Sequence, residues 1–121
     1  MKEKIVRLTG VTYDDVQENI KMFGCKDIGT FALVREPDNT YDKNAIRVAI
    51  GDKKLGYIPK AIARDLAPEM DAGKDFLALF VKRNESPYHD TVGLMVKIVE
   101  YARDGISQNL IGEEPAVIEE K

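Results

Sequence analysis

What this chain lacks narrows its chemistry first. It has no tryptophan, one cysteine (Cys25) and one histidine (His89) in 121 residues. No internal disulfide can form, a cysteine-rich zinc cage has too few ligands, and serine–histidine or cysteine–histidine machinery has no spare parts. Cys25 is read as a small buried side chain rather than a nucleophile. No apolar run approaches the roughly 20 residues that span a bilayer. Met1-Lys2-Glu3-Lys4 leads into a strand rather than a signal-peptide core, so the expectation is a cytoplasmic protein with no membrane partner. Basic excess is also missing, since the formal net charge of −3 argues at first sight against nucleic acid. Its distribution alters that view. Glu113 to Lys121 contribute −3, whereas Phe31 to Arg64 hold seven bases and four acids. On charge alone, scattered solvated lysines are still the plainer reading.

What is present is ordinary for one soluble domain, with 44% hydrophobic and 32% charged residues. The chain is organised around Leu33-Val34-Arg35-Glu36-Pro37-Asp38-Asn39-Thr40-Tyr41-Asp42-Lys43-Asn44-Ala45-Ile46, a polar elbow between two apolar runs, with Phe31, Leu33 and Val34 before it and Ile46, Val48 and Ile50 after it suited to strands. Pro37 cannot join a ladder, and Asp38, Asn39, Asp42 and Asn44 fold backbone with their own side chains, so the elbow links two strands. An opening strand is expected up to Val11. A short helix, Asp14 to Met22, capped by Thr12 or Asp14, competes with an ordered loop bearing Tyr13, Gln17 and Asn19. Gly51 to Lys54 read as a hairpin turn before a short strand, Leu55 to Ile58. Ile62, Leu66 and Met70 fall four apart, predicting a helix over Lys60 to Met70, with a helix cut to Leu66 by Pro68 as the alternative. Phe76 to Arg83 and Thr91 to Tyr101 read as strands, linked by Asn84 to Asp90. The expectation is a mainly β fold, a small barrel or curled sheet with short α-helices. Residues 104–121 read as an acidic, poorly ordered tail.

Three chemistries compete for the elbow. Asp38, Thr40, Asp42 and Asn44 stand two apart like calcium ligands, but the turn glycine and the closing acid of such a loop would be Lys43 and Ala49. Pro37-Asp38 with Asp52-Lys53-Lys54 spells the metal-dependent nuclease pattern PD…DxK, although its second half lies in a turn. The third is a pocket for an unpaired nucleotide. Tyr41 and Tyr57 offer flat faces, Asn39 and Asp42 hydrogen-bonding groups, and Arg7, Arg35 and Lys60 charge for phosphate. Each has a plainer role: Tyr41 pins the loop, Asn44 caps the turn, Arg47 decorates a solvent face, and Tyr57 belongs to the core.

The run Leu33-Val34-Arg35-Glu36-Pro37-Asp38-Asn39-Thr40-Tyr41-Asp42-Lys43-Asn44-Ala45-Ile46-Arg47-Val48, followed by Leu55-Gly56-Tyr57-Ile58-Pro59-Lys60 and Leu66-Ala67-Pro68, strongly resembles the HIRAN domain family. The resemblance implies an OB-like β-barrel of about six strands with one or two helices over residues 1–103. It implies recognition of single-stranded DNA, particularly 3′ ends, in repair or replication stress, with no cofactor, no metal and no catalysis. Helicase-like ATPases and nucleases are the partners it suggests, and a protein-interaction module for such an ATPase is the alternative to DNA binding. Carried over, the end pocket falls on Asn39, Tyr41, Asp42, Tyr57 and Lys60, with Tyr41 on the terminal base and Asp42 accepting from the 3′ hydroxyl. This chain departs at Thr40, usually proline, at Arg7 and Leu8, where remodeller-linked members have aromatics, and near Val16, where bacterial members often have arginine.

Overall fold

The computed structural model describes residues 3–102, so the expected acidic tail, 104–121, lies outside the described residues. Six strands alternate apolar and polar residues: β1 (Lys4–Arg7), β2 (Thr30–Arg35), β3 (Ile46–Ile50), β4 (Lys53–Tyr57), β5 (Asp75–Ser86) and β6 (His89–Tyr101). They form one sheet in the order β1-β6-β5-β2-β3-β4 with every neighbour antiparallel. The sheet curls so that one face is concave. Period-two side chains fill it, with Phe31, Ile46, Val48, Leu55, Leu94, Val96 and Ile98 at most 1% exposed. This is the expected mainly β, OB-like architecture.

The curl brings the two edge strands together at one point. Thr9 N donates to Tyr57 O at 2.8 Å and Tyr57 N to Thr9 O at 2.9 Å, the bridge that joins the β1 end to the β4 end. Gly56 makes the crossing possible. It is buried at φ +140°, and a β-carbon there would sit 2.9 Å from Thr9 O and 3.1 Å from Leu8 Cβ.

Two helices complete the core. The α1 helix (Val16–Phe23) buries Val16 and Ile20 and packs on β4 and β6. Its polar residues stitch it down: Gln17 Nε2 donates to Val11 O and Val92 O, Gln17 Oε1 accepts from Val92 N, and Asn19 Nδ2 donates to Lys54 O. This decides for the helix over the loop, although Asp15 stands at the N-cap without a side-chain bond. The α2 helix (Lys60–Asp71) sends Ala63, Leu66 and Ala67 into the same core. It follows the expected Lys60 to Met70 and runs through Pro68, which decides against the alternative of a stop at Leu66. Pro68 falls in the last turn, where its ring forfeits one bond to the carbonyl of the exposed Arg64, which water can satisfy.

Other boundaries also differ from expectation. The β1 strand ends at Arg7 rather than Val11: Leu8 N still donates to Leu94 O at 2.9 Å, Thr9 crosses to Tyr57, and the chain turns away at Gly10 with φ +65°. Only Gly51 and Asp52 form the β3–β4 turn, leaving Lys53 and Lys54 in a strand. Asn84 to Asp90 is the end of a long hairpin arm rather than a loop, with Ser86 paired to His89. Bulges between Phe80 and Lys82 and between Asn84 and Ser86 carry the pairing outward.

If the β1–β4 crossing requires Gly56, Gly56→Ala should lower the unfolding free energy by about 2 kcal/mol or more. Gly51→Ala, at φ +57° with open space around it, should cost about 1 kcal/mol. Urea unfolding of both variants checks this, and equal costs would remove the crossing as the reason.

Candidate functional site

The elbow is folded by its own polar groups. Asn39 Oδ1 accepts from Tyr41 N at 2.8 Å and Asp42 N at 3.0 Å, and Asp42 Oδ1 accepts from Asn44 N at 2.9 Å. Backbone bonds from Glu36 N to Ala45 O and from Ala45 N to Asp42 O close its base. These turns fix the two residues that follow Thr40.

Beneath the elbow lies a carboxylate that the sequence reading passed over. Glu36 Oε1 accepts from Asn39 Nδ2 at 3.0 Å and from the Tyr57 hydroxyl at 3.0 Å, and Glu36 Oε2 accepts from the Arg47 guanidinium at 2.8 Å. Arg47 is therefore a partner of the elbow and not decoration on a solvent face. Burial pushes the Glu36 carboxyl up, but the bonds from Asn39, Tyr57 and Arg47, with the Arg47 charge, outweigh it and hold it below the ordinary 4.5. Burial and the bond to anionic Glu36 push the Tyr57 phenol above 10.0, with Lys54 partly opposing. Glu36 is thus the anion and Tyr57 the donor at neutral pH.

A cleft of about 670 Å³ opens beside this network. Asn39, Tyr41, Asp42, Tyr57 and Lys60 all line it, so the structure brings together every residue of the expected end pocket. The two arginines stand elsewhere. Arg35 donates to Ala45 O, Lys43 O and both oxygens of Asp71, which ties the elbow to the end of α2. That geometry leaves its fork occupied. Arg7 lies across Gly93 of β6, where a β-carbon would stand 3.3 Å from its guanidinium. Within the cleft the roles divide. Asn39 is engaged at both ends of its amide, whereas Tyr41 is 94% exposed and Asp42 Oδ2 has no partner among the described residues. Lys60, at the first turn of α2, is exposed and makes no ion pair with a described residue.

Thr9, Gly10, Tyr13, Asp14 and Lys54 line it as well. The sequence reading had Lys54 only in the nuclease pattern and Tyr13 only on a possible loop, and Thr9 to Asp14 reach the cleft through the β1–β4 closure. The nuclease pattern is not assembled. Asp38 and Asp52 stand beyond opposite ends of β3, about 15 Å of strand apart, and no group of three or more His, Cys, Asp and Glu clusters among the described residues.

The HIRAN domain family model matches residues 5–100. This chain belongs to the HIRAN domain family. Over 44 residues it is 48% identical to a Fanconi-associated nuclease 1 homolog of Arabidopsis thaliana, covering 36% of this chain and 5% of that protein. Over 41 residues it is 51% identical to the helicase-like transcription factor of Oryctolagus cuniculus, covering 33% of this chain and 4% of that protein. The chain thus spans a small fraction of the length of these curated relatives. A crystal structure of a protein from Lactobacillus plantarum superposes with a TM-score of 0.60 at 28% identity, covering 80% of this chain and 92% of that one. The HIRAN domain of human HLTF superposes with a TM-score of 0.57 at 22% identity, covering 82% and 74%. That likeness bears out the HIRAN fold.

Because the folded-state value of Glu36 lies below its unfolded one, the stabilisation is complete above about pH 4.5 and is lost as pH falls through the folded-state value. The denaturant midpoint should therefore drop more steeply between about pH 6 and pH 3 in the wild type than in Glu36→Gln. Asp71 and Glu69, also held low by their partners, contribute equally to both proteins. Parallel pH profiles would show that Glu36 is not the anion inferred.

Proposed function

We propose that this HIRAN domain is a binding module that captures the 3′ end of single-stranded DNA in the cleft, and that its role is recognition rather than catalysis. One observation carries the reading. Tyr41 stands almost wholly in water on a loop whose backbone is hydrogen-bonded on both sides of it. A large exposed aromatic on a rigid frame is a surface held ready for a flat partner. A terminal base stacks on Tyr41, the free Asp42 Oδ2 accepts from the terminal 3′ hydroxyl, and Lys60 meets the phosphate that follows. Asn39 acts by holding Tyr41 and Asp42, and Tyr57 by closing the wall, so neither needs to touch the ligand to be required.

A carboxylate in a site for a polyanion fits a hydroxyl partner and disfavours a phosphate in the same place. The names of the curated relatives, a nuclease homolog and a helicase-like transcription factor, accord with a DNA partner and with work beside such enzymes. Among the described residues no helix is long and apolar enough to cross a membrane.

Fluorescence anisotropy of labelled oligonucleotides tests the reading. Tyr41→Ala should weaken binding by about 1–3 kcal/mol, roughly fivefold to a hundredfold, while leaving the thermal midpoint unchanged. A 3′ phosphate should bind more weakly than a 3′ hydroxyl, and Asp42→Asn should narrow the gap. Equal binding of both ends by the wild type would dismiss the role of Asp42.

A further inference from the structure

Three tyrosines line the cleft, and they are not equivalent. Tyr57 is held by its hydroxyl on Glu36, and its ring borders Gly10, where a β-carbon would lie 3.2 Å from Tyr57 Cδ2. The Lys54 ammonium stands 5.2 Å from the ring centroid, a cation–π arrangement. A base approaching that face must first displace the cation.

Tyr13 differs on each count. It is 68% exposed, and its own Cδ2 would be 3.8 Å from the same β-carbon on Gly10, so its ring stands beside Tyr57 at the same wall. The turn presenting it is built rather than loose. Val16 N donates to Tyr13 O at 3.1 Å, Asp14 takes a positive φ of 51°, and the Asp14 carboxylate lies 3.6 Å from Lys54 Nζ. A left-handed backbone at a residue other than glycine and a tyrosine held out in water are both unfavourable for the isolated domain. Both become useful when the ring has a ligand. At about 670 Å³ the cleft also exceeds what one stacked base occupies.

We propose that Tyr13, rather than Tyr57, is the second base-stacking surface, so that the cleft takes two consecutive nucleotides. The terminal base lies on Tyr41, the penultimate base on Tyr13, and Lys54 turns from the Tyr57 ring to the phosphate between them. This rests on the strand-end reading above and adds which ring receives the next base. Asp14 then has two tasks, shaping the turn under Tyr13 and holding Lys54 near the path of the strand.

The experiment compares an oligothymidylate bearing a free 3′ hydroxyl with the same strand made abasic at the penultimate position. Tyr13→Ala should weaken the intact strand by about fivefold or more, Tyr13→Phe should retain wild-type affinity, and Tyr13→Ala should bind the abasic strand as the wild type does. Retention in Tyr13→Phe separates lost stacking from misfolding. If Tyr41→Ala weakens binding while Tyr13→Ala does not, or if Tyr13→Ala loses equally on both strands, the assignment of Tyr13 falls and the strand-end reading stands. If the wild type shows no dependence on Tyr41 or on the 3′ end, both fall together.

Discussion

The carboxylate of Glu36 is the contact on which the rest of the site depends. It sits at the end of β2, receives the side chains of Asn39, Arg47 and Tyr57, and so joins the elbow, β3 and β4 at one charged point. Hydrogen bonds to a charged group contribute about 1.5–3 kcal/mol each when shielded from water, and they polarise one another. The consequence reaches beyond stability. Asn39, held at its amide nitrogen by Glu36, uses its oxygen to fix the amides of Tyr41 and Asp42. The reading groups are therefore set before a ligand arrives, which lowers the ordering cost of binding.

Barrel closure and site formation are the same event. The bridge between Thr9 and Tyr57 joins the free edges of the sheet and also carries Gly10, Tyr13 and Asp14 to the wall facing the elbow. Gly56 permits the close approach, and Gly10 lets the chain turn against the Tyr57 ring. Arg35, gathering two elbow carbonyls and Asp71, fixes the elbow against α2, whose first turn presents Lys60. Four separated stretches of chain thus meet around one cleft, and a defect in any of them is felt at the others.

The barrel strands were legible because their alternation is imposed by a core on one face. Beyond the barrel that pressure ends. Asn84 to Asp90 looks like a polar loop because its composition is polar and carries a proline, although bulged pairing continues to Ser86 and His89. The helix over Lys60 to Met70 was legible from its spacing, and Pro68 left its end open because propensity counts the missing bond without knowing that Arg64, whose carbonyl is left over, is exposed. For the site, the sequence pointed to Asn39, Tyr41, Asp42, Tyr57 and Lys60, which line the cleft, and to Arg7 and Arg35, which do not. It did not reveal partners. Glu36, Arg47 and Arg35 differ in role only through the register of β2 with β3 and the position of α2, and Tyr13 reaches the cleft only through the β1–β4 bridge. These are long-range facts with no local signature.

The central claim is that a preformed cleft, rather than a broad cationic surface, receives the end of a strand. Amide chemical-shift mapping with a short single-stranded oligonucleotide bearing a free 3′ hydroxyl tests it most directly. The account predicts large changes at Thr9 to Asp14, at Asn39 to Asp42 and at Lys54 to Lys60, with the outer face of β5 and β6 silent. Diffuse changes over scattered lysines, or a maximum on that outer face, would contradict it.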